Sequence, residues 1–308
     1  MIRAAALAAV LLSVAPLSAQ AQPSPWGASD TLGALNHLSP EGVRKAVGLV
    51  KTGKVYSLAI PTSADAPAYG DRKYAVEISP PPGRPTPPAA ANKVTAHDEK
   101  VTTSMGIGTQ MDGFGHLGID HTYYNGLKGE DLNKPGGFTK LDFADRPPIV
   151  TRGVLIDMAR HFGKPRLEAG QAFGRKDVEA AMKAQGVKVG KGDVVLFHTG
   201  WMQMLKTDKA LYSRSEPGVS EDAAAWLADQ GVVAIGADTI ALEPLPPVDP
   251  QRPFVVHQLL LAKRGVHVLE NIRTDELVAD RAKEFLIVLA QPRFAGTVQV
   301  VVNPVAIR

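Results

Sequence analysis

From residue 149 onward, short apolar runs alternate with amphipathic stretches, and this alternation constrains the fold of the 308-residue chain more than any other feature. Ile149 to Met158, Asp193 to His198, Val232 to Gly236 and Val266 to Leu269 read as strands. Three helices fall between or beside them. Gly174 to Gln185 is closed by Gly186. A second opens at Ser220, carries Glu221 and Asp222 in its first turn and stops at Gly231. Pro253 to Arg264 is stopped by Gly265. Phe285 to Ala290 and Thr297 to Val302 supply two last strands. Strands and helices in this order predict an α/β or mixed β/α single domain. Upstream, Ser39 and Pro40 open a helix with Gly53 past its end, and Val55 to Ile60 reads as a strand. The proline-rich segment 79–91 lacks the N–H donors that a sheet ladder needs, and is expected to be an exposed loop, a lid or an interface arm.

Charge and composition remove several function classes. The formal charge is +3 and no run of Lys and Arg occurs, so nucleic acid is not the expected partner. Cysteine is absent, which excludes a thiol nucleophile and every thiolate metal site. Neither a G-x-G-x-x-G nor a P-loop sequence is present, so a dinucleotide-dependent oxidoreductase is set aside. At the N-terminus, Arg3, the apolar run Ala4 to Leu17 and the small-x-small triplet Ala19-Gln20-Ala21 have the order of a secretory signal peptide. The apolar run is short for a membrane anchor, the rival reading. Residues 1–21 are therefore expected to be removed, leaving 22–308 as a periplasmic or secreted domain off the membrane.

The candidate chemistry centres on the stretch GIGTQMDGFGHLG, Gly106 to Gly118, which sets Gln110, Asp112 and His116 among five glycines. That glycine density opposes both helix and strand and allows close approach of backbone to a ligand. If the segment is extended, Gln110 and Asp112 share one face, and His116 can fold back across the turn. Amide, carboxylate and imidazole then suit Zn²⁺ or Mn²⁺. A polar turn with Asp112 capping backbone amides explains the same residues equally well. His257 sits in an otherwise apolar helix, as a satisfied core residue or as a ligand. Glu270 ends an apolar strand, where a carboxylate is costly unless ion-paired or metal-bound. Trp26, Phe114 and Trp201 are candidates to line a substrate pocket, with core packing as their alternative.

Several separated motifs carry a family resemblance. The stretch Gly108 to His116, WGASDTLGALNHL from Trp26, TRGVLIDM from Thr151, GDVVLFHTGW from Gly192, AIGADTIALE from Ala234 and HQLLLAKRGVHVLEN from His257 occur in the family's order. The chain thereby resembles the cyclase family, which includes bacterial kynurenine formamidases and isatin hydrolases, over nearly all of its length past residue 21. The resemblance implies a swivelling β/β/α-type fold, a homodimer or homotetramer, and metal-dependent hydrolysis of a cyclic or aromatic amide, lactam or lactone. In the formamidase type the signature runs His, x, Gly-Thr-His, x, Asp, three residues, His. Gly108, Thr109, Asp112 and His116 match it. Gly106 and Gln110 stand where the first two histidines belong. The implied ligand set for one Mn²⁺ or Zn²⁺ is Gln110, Asp112, His116, His257 and Glu270, with His116 and His257 also as proton-transfer groups. The altered motif and an exported location speak against kynurenine formamidase itself. Loss of two imidazoles keeps open a non-catalytic binding protein on the same scaffold.

Overall fold

In the computed structural model, which describes residues 23–83 and 87–308, the chain is built around a nine-stranded mixed sheet. Its order is Val55–Ser57, Val305–Ile307, Glu284–Leu289, Ile149–Asp157, Val194–His198, Ala234–Ala237, His267–Glu270, Gln110–Asp112 and Gln299–Val301. The four strands from Ile149–Asp157 to His267–Glu270 run parallel, and antiparallel strands flank them on both sides. The sheet curls into a half barrel, the α/β single-domain architecture that the resemblance implies.

The parallel strands are apolar because both of their faces are covered. Every residue of Val194–His198, Ala234–Ala237 and His267–Glu270 is buried. Helix Arg175–Gln185 packs against Glu221–Asp229, which in turn packs against the π-helical turns Gln258–Arg264. The first of these is fixed at its start by Asp177, whose carboxylate accepts the Gly174 N–H at 2.9 Å, and at its end by Gly186 in the left-handed region (φ 69°).

Several elements differ from expectation in extent. The first helix is Pro40–Val47, with Ser39 Oγ accepting from Gly42 N at 3.1 Å. It stops at Gly48, well before Gly53. The expected helix from Pro253 begins only at Val255, because Phe254 takes a left-handed backbone (φ 56°), and it widens to π geometry from Gln258. The glycine-rich segment, read as opposed to regular structure, contributes strand Gln110–Asp112, held between His267–Glu270 and Gln299–Val301. Strands Tyr74–Ser79 and Asp98–Thr103 form a separate hairpin whose tip carries the proline-rich segment. Residues 1–21, the expected signal peptide, lie outside the described residues. Among the described residues no helix is long and apolar enough to cross a membrane.

Candidate functional site

The site forms where His267–Glu270 meets Gln110–Asp112, at the carboxyl edge of the parallel strands, the usual place for a ligand crevice in an open α/β sheet. Strand register does the positioning. Gln110 lies directly opposite Glu270, and Asp112 directly opposite Gln299. Because side chains alternate along a strand, Gln110 and Asp112 share one face, while Met111 is buried on the other. Asp112 receives the Gln299 amide on Oδ1 at 2.8 Å, and Gln110 Nε2 donates to Glu270 Oε2. His267 donates through Nδ1 to the backbone oxygen of Asp112, 2.8 Å away, and stacks on Phe114. Burial pushes His267 down to about 3, so it is a neutral prop under the strand.

His257 comes from the adjoining helix. Its Nε2 is 3.2 Å from Glu270 Oε1 and 3.5 Å from Asp112 Oδ2, and its Nδ1 is 2.7 Å from Glu243 Oε1. Glu243 also accepts the backbone N–H groups of His257 at 2.9 Å and Val256 at 3.2 Å, so one carboxylate caps the helix and orients its imidazole. Glu216, wholly buried, in turn accepts the N–H groups of Ile240 and Ala241 at 2.5 and 2.8 Å and fixes the loop that delivers Glu243.

Three ligand atoms, one each from Asp112, His257 and Glu270, lie within 4.8 Å of one another, and all three residues are buried. Asp112 Oδ2 and Gln110 Oε1 have no hydrogen-bond partner among the described residues. Two like charges at such depth repel. Burial and the Asp112 carboxylate push Glu270 up to about 7. Burial would also raise Asp112, but His116, His257 and Gln299 hold it below its ordinary value. Burial alone would lower His257, whereas its contacts with Asp112, Glu243 and Glu270 raise it well above the ordinary imidazole value. A carboxylate oxygen without a hydrogen-bond partner, a second carboxylate and an imidazole whose other nitrogen is held by an acid fit a divalent cation. Gln110 would add an amide oxygen.

His116 lies outside this trio but lines the same cavity of about 170 Å³, together with Gln110, His257 and Glu270. Burial holds it below the ordinary imidazole value, with the His257 and Arg72 charges acting in the same direction and Asp112 opposing them. The cavity's remaining walls are Tyr69, Arg72, Leu117, Ile240, Ala241 and Phe254. The expected pocket aromatics are elsewhere. Trp26 packs edge-on against His37 near the surface, Phe114 sits in the core between His267, Tyr124 and Arg146, and Trp201 is buried with Met204 and Tyr212 in a second apolar cluster. Aromatic character alone did not reveal which side of the sheet each would face. Reading the sequence for site residues missed Glu243, Glu216 and Arg72. Glu243 ends the stretch AIGADTIALE from Ala234, but the N–H groups it binds belong to a helix start that only the fold brings close.

A family model described as "Putative cyclase" matches residues 56–244. That span holds Gln110, Asp112, His116 and Glu243, while His257 and Glu270 follow it. Kynurenine formamidase of Bacillus mycoides (strain KBAB4) is 27% identical over 124 residues, covering 38% of this chain and 57% of that enzyme. The chain spans about half the length of the curated relatives it matches. Among solved structures, a novel cyclase superposes with a TM-score of 0.83 at 27% identity, covering 94% of this chain and 100% of that one. An isatin hydrolase bound to the product analogue thioisatinate gives 0.62 at 16% identity, covering 87% and 98%.

Proposed function

The chain belongs to the cyclase family, and on that premise we propose that it is an exported metal-dependent hydrolase of a cyclic or aromatic amide, lactam or lactone. The observation that carries this reading is the buried convergence of Asp112, His257 and Glu270, with Asp112 Oδ2 lacking a hydrogen-bond partner among the described residues, beside a cavity that His257 and Glu270 line together with Gln110 and His116. Its solved neighbours of the same fold include an isatin hydrolase, and its curated relatives are kynurenine formamidases.

Asp112, His257 and Glu270 would hold one Mn²⁺ or Zn²⁺, with Gln110 as a weaker oxygen donor. The ion would lower the pKa of a bound water and polarise the scissile carbonyl. Glu243 keeps His257 Nδ1 engaged, so that Nε2 faces the carboxylates in one orientation. His116, whose imidazole burial holds below its ordinary value, accepts the proton of the attacking water and passes it to the departing nitrogen or oxygen. Phe254, edge-on to both Tyr69 and His257, gives the substrate ring an apolar wall.

The export assignment rests on the order of residues 1–21, and N-terminal sequencing of protein recovered from outside the cytoplasm tests it. Self-association is supported by the hairpin. Tyr74, Val76 and Ile78 alternate onto one face, Val76 pairs with Val101, and Val76, Ile78 and Val101 are exposed. A second copy of the chain is the proposed cover.

The test of the hydrolase reading is turnover. Protein lacking residues 1–21, supplied with Mn²⁺ or Zn²⁺, is assayed on a panel of aryl lactones, lactams and N-formyl arylamines, before and after chelation. Hydrolysis that chelator abolishes and metal restores supports it. The rival, a non-catalytic binding protein, is favoured by Gly106 and Gln110 standing where the signature has histidines. Ligand binding without turnover on a metal-loaded chain would establish that rival instead.

A further inference from the structure

Among the described residues, Arg72 lines the cavity without an ion-paired carboxylate. Arg72 sits on a segment laid alongside the start of the glycine-rich stretch: Ser104 N donates to Lys73 O at 2.8 Å, Gly108 N donates to Pro67 O at 2.9 Å, and Ala68 bridges to Ile107. This pairing brings Arg72 Nη1 within 3.1 Å of the Gly106 carbonyl oxygen, which accepts from it. The guanidinium lies against Gly106. A Cβ at that position would stand 2.7 Å from Arg72 Cζ, 2.9 Å from its Nε and 2.8 Å from Gln299 Nε2, so the ends of these two flexible side chains would have to move aside for it. The Arg72 guanidinium therefore occupies the space that a side chain at Gly106 would fill, and the Gly106 carbonyl holds it there.

Among the described residues this is the only hydrogen bond of Arg72, and no carboxylate lies within ion-pairing distance. Its charge is nevertheless felt at His116 and Glu270, beside which it lines the cavity. A guanidinium held at its edge by one backbone oxygen keeps its other N–H donors for a planar, bidentate anion. Hydrolysis of an amide, lactam or lactone makes that anion at this place: water adds to the carbonyl carbon, the C–N or C–O bond breaks, a proton goes to the leaving atom, and the acid formed loses its own proton.

Resting on the hydrolase reading, we propose that Arg72 is the carboxylate-binding residue of the site, seated by Gly106, which takes the carboxylate that hydrolysis creates. The site is accordingly selective for products that present a carboxylate next to a ring, against neutral molecules of the same shape.

Benzoate and its neutral counterpart benzamide are the probes, titrated calorimetrically into wild-type protein, Arg72→Met and Gly106→Ala, each with Mn²⁺ and after chelation, with bound metal measured on the same samples. Arg72→Met should weaken benzoate about tenfold or more and leave benzamide and metal content nearly unchanged. Gly106→Ala, which keeps the arginine but removes its seat, should weaken benzoate in the same direction. Equal benzoate affinity in wild type and Arg72→Met, equal losses for both probes, or no benzoate binding to wild type would each overturn the proposal. The hydrolase reading fails separately: a wild type that takes up no metal while benzoate still depends on Arg72 removes that reading and leaves the anion site standing.

Discussion

Glu243 is bound to three groups at once: the Nδ1 of His257 and the first free N–H groups of its helix. An acid that orients a metal-binding imidazole is worth about 10–100-fold in metal affinity when removed. Glu243→Ala is therefore expected to weaken Mn²⁺ or Zn²⁺ binding by roughly that factor, with loss of helix capping lowering stability by about 1 kcal/mol. Metal titration and urea unfolding read the two effects apart. A variant with unaltered metal affinity would show that His257 Nδ1 is not the handle that positions the site. Glu270 was legible because a carboxylate ending an apolar strand is costly unless partnered, Asp112 because it stands in the glycine-rich stretch, and His257 through the order of the motifs. Sequence reading did not reach Glu243, since nothing local marks a carboxylate whose partners are the N–H groups of a helix that starts twelve residues on. Arg72 was hidden for a related reason: its signal is the missing Cβ of a residue more than thirty positions away.

At the scale of elements, close approach is made possible by glycine in the sheet itself. Gly153, in strand Ile149–Asp157, lies opposite Phe285 in strand Glu284–Leu289, and a Cβ there would stand 2.2 Å from the Phe285 ring. The ring covers the glycine, and with the backbone paired on both sides it has little room to retreat. Gly153→Ala should cost about 1–3 kcal/mol of stability by overpacking, read as a lower urea midpoint with the denaturant slope unchanged. A midpoint equal to wild type would show that the ring can move aside without loss. The parallel strands were legible because burial on both faces forces continuous apolar runs, as in Val194–His198. Strand Gln110–Asp112 was not. It has three residues, sits among glycines that weaken strand formation, and owes its existence to partners more than 150 residues away in sequence. The helix carrying His257 was found but begun too early, because Phe254 gives no sequence sign of its left-handed backbone.

At the scale of the whole molecule, the hairpin Tyr74–Ser79 and Asp98–Thr103 stands as a two-stranded sheet of its own, outside the nine-stranded half barrel. An isolated two-stranded hairpin is marginal in water, and this one exposes Val76, Ile78 and Val101. Light scattering on the chain without residues 1–21 should give twice the protomer mass or a higher even multiple, and Val76→Lys with Val101→Glu should shift it towards one. A monomeric wild type would remove the hairpin's proposed role. The fold class follows from the alternation of strands and helices. The placement of Trp26, Phe114 and Trp201 does not, because an aromatic side chain packs equally well on either face of a sheet. The central claim is the proposed metal-binding centre on Asp112, His257 and Glu270, and the most direct test of it is elemental mass spectrometry of the chain purified without chelator or added metal. The account predicts close to one Mn or Zn per chain in the wild type and almost none in Asp112→Ala. A wild type that carries no metal, and takes none up on incubation with Mn²⁺ or Zn²⁺, would contradict it.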